Sequence, residues 1–173
     1  MNKKLINTIN LYFILTILFS QVFSYSLCAK PIAYKLDINN SKVGFSVKHK
    51  ITRDVYGEFS KSIGTADYNS KTDKIFNIES VIDVQSIDTG NTRRDRHLKS
   101  PDFFDANNHP KIYFKSNNVV LISENQYKVY GNLTMRGVKK SIILEGEKTK
   151  DSDGNLFFNA ISIINRQDFG ISW

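Results

Sequence analysis

From Ala33 onward the chain alternates apolar and polar residues with a period of two, the pattern of strands that bury one face and wet the other. Tyr34, Leu36 and Ile38 alternate with Lys35 and Asp37. After Asn39-Asn40-Ser41, Val43, Phe45 and Val47 alternate with Gly44, Ser46 and Lys48. Val55, Gly57 and Phe59 open a longer strand whose phase blurs between Ser60 and Thr65, where Gly64 predicts a bulge or tight bend. A polar turn over 68–74 precedes Phe76, Ile78, Ser80 and Ile82 on one face. Farther along come Ile112, Phe114 and Ser116, a break at Ser123-Glu124-Asn125, and then Val129, Gly131 and Leu133. Arg136-Gly137 is a tight turn into Ile142, Leu144 and Gly146, and Asp153-Gly154 marks a hairpin into Phe158, Ala160, Ser162 and Ile164. The expectation is an all-β fold: about eight antiparallel strands in a closed or nearly closed barrel, because closure removes exposed edges.

One stretch departs from this pattern, SIDTGNTRRDRHLKSPDFFDANNHPKIYF from Ser86 to Phe114. Thr92 with Asp95 three residues on reads as a capping box, so a short helix through Leu98 is expected. Ser100-Pro101 reads as a second helix start, with Pro in the first helical position, and His109-Pro110 returns the backbone to a strand from Lys111 to Ser116. The segment is thus a helical lid between the fourth and fifth strands. Leu98, Phe103 and Phe104 are its apolar anchors, surrounded by Arg93, Arg94, Asp95, Arg96, His97, Asp102 and Asp105. Two readings stay open: the aromatics plug a core while the charges satisfy one another and the helix ends, or the arginines form a cationic mouth over an apolar cavity. His97 and His109 lack short ligand spacing, so no metal is assigned.

The inward faces interleave Phe45, Phe59, Phe76, Phe114 and Phe158 with Gly57, Ser80, Gly131, Gly146, Ala160 and Ser162. Large and small residues either interdigitate to fill a tapered barrel or leave room inside it.

The runs SIDTGN, RRDRHLKSPDFFD and HPKIYFKS, together with VGFSVKH, GNLTMRGVKKSIILEG and INRQDFGI in the same order, resemble the YceI-like family of secreted bacterial proteins. The resemblance spans essentially everything after the leader. It implies a lipocalin-like barrel that binds polyisoprenoid or similar long-chain lipids, and it brings no catalytic residues. On that footing the cavity reading is preferred. Its expected lining comprises Phe45, Val47, Phe59, Ile78 and Ile82 from the first half of the barrel and Phe103 and Phe104 from the lid. Phe114, Val129, Gly131, Leu133, Ile142, Leu144, Phe158, Ala160 and Ser162 complete it. Arg94, Asp95, His97, Arg166 and Asp168 are head-group candidates at the mouth, with Arg93 and Arg96 beside them; Arg166 and Asp168 read more readily as a structural latch. No cofactor is called for, and the bound molecule would be an isoprenoid quinone, a polyprenyl lipid or a fatty-acid-like amphiphile. Family members generally carry a further strand after the equivalent of Phe169-Gly170-Ile171, so a missing last strand is also expected here. An open edge near the first strand would offer its backbone to a second copy, a route to a homodimer.

At 173 residues the chain accommodates one domain plus a targeting segment. Lys3 and Lys4, an apolar run from Leu11 to Phe23 and small residues up to Ala29 read as a secretory signal peptide over 1–29, with the domain over 30–173. A cut after Ser26 stays open. Cys28, the single cysteine, follows Leu27 rather than a small residue, which argues against a lipid-anchor site. The net charge is +7, falling to about +5 once Lys3 and Lys4 leave with the leader. The cations are scattered, without a basic run or an interleaved aromatic platform, so nucleic acid is not an expected partner; an anionic membrane surface or head group is. No nucleophile elbow or phosphate-cradling glycine loop is present, and the function expected is binding rather than catalysis. A membrane-surface interaction module and a lipid-modifying enzyme are the alternatives. The intact mass of the exported protein, found outside the cytoplasm, is expected to lack residues 1–29. A mass that retains Met1 to Ala29 would indicate an anchor instead.

Overall fold

The computed structural model describes residues 32–35, 41–47 and 54–171. The leader, Leu36, Ile38 and Trp173 lie outside them. Ten strands occur among these residues: β1 (Ile32–Lys35), β2 (Val43–Val47), β3 (Val55–Phe59), β4 (Ser62–Asn69), β5 (Lys74–Asp83), β6 (Ile87–Asp88), β7 (Lys111–Leu121), β8 (Gln126–Met135), β9 (Val138–Lys150) and β10 (Leu156–Ile161). Among the described residues one α-helix, α1 (Thr92–Lys99), occurs, between β6 and β7.

Seven strands form one curled antiparallel sheet in the order β1-β4-β5-β7-β8-β9-β10, and β2-β3-β6 form a separate ribbon. The expected count of eight and the observed ten differ because two strands turn a corner. The chain bends at Ser60-Lys61 between β3 and β4, and through a 3-10 turn over Val84–Ser86 between β5 and β6. Ser60 N and Lys61 N donate to Ser86 O and Oγ at 3.1 and 3.0 Å, and Asp83 N donates to Lys61 O at 2.9 Å, which pins the two corners together. Strands that change sheet in this way are how orthogonal β-packings are made. The bend expected at Gly64 therefore falls four residues earlier, and Gly64 itself pairs regularly with Ser80.

Two bulges shape the sheet further. Asn77, at φ 51°, is the extra residue where β5 slips against β4, and β7 slips against β8 near Asn117. The first reverses the facing of β5, so that Ile75 is buried and Phe76, expected to face inward with Ile78, is only half-buried. β5 and β7 pair only over Glu79–Asp83 and Lys111–Lys115. Beyond that, Ile78 N donates to the Ser116 hydroxyl at 2.8 Å.

The core lies where the curled sheet, the ribbon and the lid meet: Phe59, Ile82, Val84, Ile87, Ala106, Ile112, Phe114, Val129, Leu133, Met135, Phe169 and Ile171. Its glycines are covered. A Cβ at Gly131 would lie 2.6 Å from the Phe114 ring and 2.6 Å from the Lys115 carbonyl; at Gly146 it would meet the Phe158 ring at 2.5 Å, and at Gly57 the Phe45 ring at 2.5 Å. Each phenylalanine lies across the glycine of an adjacent strand, so at these positions large and small residues interlock and the glycines leave no room. Gly131→Ala is accordingly expected to destabilise the fold by about 1–3 kcal/mol, read as a lower urea midpoint. An unchanged midpoint would mean that Phe114 moves freely.

A candidate binding trough on the concave face

The inner face of the curled sheet changes character along its length. At the lid end Ile82, Ile112, Phe114, Leu133 and Met135 are buried. Along the middle, Ile78, Val119, Ile142, Leu144 and Phe158 pack against that core yet remain only half-buried. Register places them as neighbours: Val119 opposite Val129, Val129 opposite Leu144, and Gly131 opposite Ile142. The result is an open apolar trough, floored by strands and flanked by Phe45, Phe103 and Phe104. Val47, at 40% exposure, and Ala160 lie at its outer limits, and Ser162, half-buried, follows the end of β10.

Phe45, Phe59 and Phe104 form an aromatic cluster, with ring centres 5.6 Å (Phe45–Phe59), 6.4 Å (Phe45–Phe104) and 5.9 Å (Phe59–Phe104) apart. It joins the ribbon to the lid. Of the expected lining, Phe59, Ile82, Phe114, Val129, Gly131 and Leu133 sit in the closed core, while Phe45, Ile78, Ile142, Leu144 and Phe158 face the open part.

The lid is held by its own polar groups. An eight-residue helix is too short to persist alone, so its ends must be tied. The N-cap is Asn91, whose Oδ1 accepts from Arg94 N at 3.0 Å, rather than Thr92. Asp95 reaches past the cap to Thr89, accepting from its N at 3.0 Å and its hydroxyl at 2.6 Å. Arg94 Nε and Nη2 donate to Thr89 Oγ1 and O, both at 2.8 Å. Ser100, expected to start a second helix, instead donates its hydroxyl to His97 O at 2.7 Å, and a turn follows at 101–104. His97 stands edge-on to Phe103 at 4.9 Å, with Nε2 3.3 Å from Asp102. Arg94, Asp95 and His97 thus serve the lid's internal structure, and Arg93 and Arg96 are its exposed cations.

Arg166 and Asp168 lie exposed on a 3-10 turn, where Asp168 accepts from the Asn165 amide at 3.4 Å. The latch expected of them belongs to Arg136. This residue occupies a two-residue hairpin turn with Gly137, both at positive φ, and its Nη1 donates to Phe103 O at 2.7 Å and Gly170 O at 3.1 Å. One guanidinium therefore ties the lid and the C-terminal turn to the β8–β9 hairpin. Reading Arg136-Gly137 only as turn chemistry missed it.

A second polar cluster, also missed, closes the opposite end. Lys148 faces inward from β9 at 9% exposure, opposite Phe158, and its ammonium pairs with Asp73 in the β4–β5 turn. Tyr68 OH donates to Asp73 Oδ1 at 2.7 Å, and Tyr127 OH donates to Asp73 O at 3.1 Å. The signal lay in the alternation itself, since Lys148 continues the inward phase of Ile142, Leu144 and Gly146. The hydrogen bond from Lys148 holds the Asp73 carboxyl below the ordinary 3.8, against the opposing effect of burial. Burial pushes Lys148 down, but the Asp73 bond and the two tyrosines outweigh it and the net displacement is upward from 10.5. Hydrogen bonding to Asp73 and burial raise Tyr68, and burial chiefly raises Tyr127.

Among the described residues no group of three or more His, Cys, Asp or Glu side chains could hold a metal ion. His109 faces a single carboxylate, Asp105, at 4.0 Å.

Because Asp73 is more acidic folded than unfolded, its contribution is complete above its unfolded pKa and is lost as pH falls through the depressed folded value. Lys148, raised, contributes below its unfolded pKa and loses that contribution as pH climbs through the folded one. Urea midpoints should therefore fall on acidification below about pH 4, and Asp73→Asn should flatten that dependence in part, Asp83 being held low in the same way by Lys111. An identical acid profile for the variant would show that the pair is not coupled to folding.

Residues 34–173 match the YceI-like domain. A UPF0312 protein of Pectobacterium atrosepticum is 31% identical over 80% of this chain and 76% of its own length. The crystal structure of the Campylobacter jejuni YceI protein is 31% identical, with a TM-score of 0.62 over 79% of this chain and 83% of that one. A polyisoprenoid binding domain from Saccharophagus degradans shares the fold at 13% identity, with a TM-score of 0.52 over 80% of this chain and 76% of that one.

Proposed function

The chain belongs to the YceI-like family, and we propose that it is an exported carrier that holds one long apolar lipid of the polyisoprenoid class along the concave trough, for transport or storage. The observation that carries this reading is the row of half-buried Ile78, Val119, Ile142, Leu144 and Phe158 on the inside of the sheet. Gathered in one contiguous row on a concave face, such residues form the kind of surface that an apolar ligand completes. A hydrocarbon chain does so, at about 0.8 kcal/mol for each buried methylene. Three or four isoprene units, of roughly five carbons each, then suffice even after the cost of association.

The lining is hydrocarbon, which suits retention rather than turnover. Selectivity should accordingly fall on the chain and only weakly on the head group, which is placed toward the lid near the exposed Arg93 and Arg96. The polyisoprenoid named for the Saccharophagus degradans domain supports the choice of lipid class. The expected leader supports a periplasmic or secreted location. Among the described residues no helix is long and apolar enough to cross a membrane.

The test uses adjacent residues of β9 that face opposite ways. Leu144→Asp puts an unpaired carboxylate in the trough, whereas Ile143→Asp puts the same charge on the outer, exposed face. Lipid extracted from each purified protein and weighed by mass spectrometry should fall at least about tenfold for Leu144→Asp and stay at the parent level for Ile143→Asp. A folded Leu144→Asp protein carrying the parent's lipid would remove the ligand from the trough.

A further inference from the structure

The Lys148 cluster is out of place in an apolar trough. An ion pair with its lysine buried and its aspartate only partly covered gives little net stability, and an apolar residue commonly serves as well at such an inward position, so its presence there calls for another reason. Four separate elements build it: Tyr68 from β4, Asp73 from the β4–β5 turn, Tyr127 from β8 and Lys148 from β9. Tyr127 is 2% exposed and stacks edge-on against Phe158 at 5.7 Å, while the Lys148 ammonium lies 5.7 Å from the centre of the Tyr68 ring. The cluster therefore abuts the half-buried Phe158 of the trough directly.

Its position in the sheet is equally specific. Pairing between β5 and β7 stops at Glu79 and Lys115, so the first residues of β5 carry no ladder to β7. Across that gap Asp73 meets β9 through its carboxylate, paired with Lys148, and β8 through its backbone carbonyl, which accepts from the Tyr127 hydroxyl. Side-chain bonds, not a backbone ladder, bring the β4–β5 turn over this end of the trough.

We infer that the Tyr68–Asp73–Lys148–Tyr127 cluster is the end stop of the trough and sets the length of apolar chain the protein accepts. This rests on the binding function proposed above. A chain lying along the half-covered row from Ile142 and Leu144 toward Phe158 gains about fourfold in affinity with each methylene it buries. When it reaches the cluster, the next methylene would have to part the buried Lys148 ammonium from its Asp73 partner, and the gain stops. Tyr127, locked to Asp73 on one side and Phe158 on the other, makes the stop rigid.

Calorimetric titration with saturated primary alcohols of about six to about sixteen carbons reads this directly. For the parent protein Kd should fall about fourfold per methylene and then level off. Lys148→Met combined with Asp73→Asn keeps the volume, suits the positive φ of residue 73 and removes both charges. In it the plateau should move to longer chains, with Kd about fourfold to about sixteenfold tighter for alcohols just beyond the parent's limit. Tyr127→Phe, which keeps the ring packing and loses one hydrogen bond, should move the plateau the same way by less. An unchanged plateau in folded variants overturns the inference and leaves the binding function standing. If the parent binds none of the alcohols, the binding function falls and takes the end stop with it.

Discussion

A curled sheet with an apolar concave face is stable in water only when that face is covered, and covering it governs most of what else this chain does. Coverage is uneven. The lid, the three-stranded ribbon and the C-terminal turn converge on one end, where Phe59, Ile82, Phe114, Leu133 and Met135 form a closed core with Phe169 and Ile171. Away from that end the same strands continue with the same inward alternation, and their apolar residues are left half-covered. The concave face is thus a core that stops short of filling its sheet.

The two ends of the trough are secured by charge, in different ways. At the lid end Arg136 meets carbonyl oxygens, so it adds charge-assisted hydrogen bonds without a carboxylate. At the far end Lys148 needs Asp73, because its ammonium alone would be an uncompensated charge on the buried face of the sheet. Two of the lid's charges are bound to the loop before α1: Arg94 and Asp95 converge on Thr89 and organise the turn from which the helix springs. Residues that look like a binding mouth in one dimension are therefore divided, Arg94 and Asp95 inward to the loop and Arg93 and Arg96 outward to solvent.

Alternation of period two was legible wherever a strand is wet on one face. Val129, Gly131 and Leu133, and Ile142, Leu144 and Gly146, face inward as their pattern predicts, and the hairpin turns at Arg136-Gly137 and near Asp153-Gly154 fall where turn chemistry puts them. The strand from Lys111 begins after His109-Pro110 for the same local reason. Phe76 was misread because a bulge at Asn77, a residue that tolerates positive φ, reverses the phase and leaves no clear trace in composition. Gly64 looked like a bend and is not one, since the corner depends on Ser86, 26 residues from Ser60, meeting it across the fold.

What the sequence alone determined is whatever depends on neighbours along the chain: strand phase, turn positions, the short lid, the family, and through it the antiparallel β fold. Tertiary structure decided whatever depends on a partner distant in sequence. It filled the space beside Gly131 with the Phe114 ring, gave the latch to Arg136 in place of Arg166 and Asp168, and matched Lys148 with an aspartate 75 positions away. Local pattern selects which face of a strand turns inward. Only the closing of the sheet brings Asp73 to Lys148, and so turns an inward lysine from an apparent misplacement into one end of a trough.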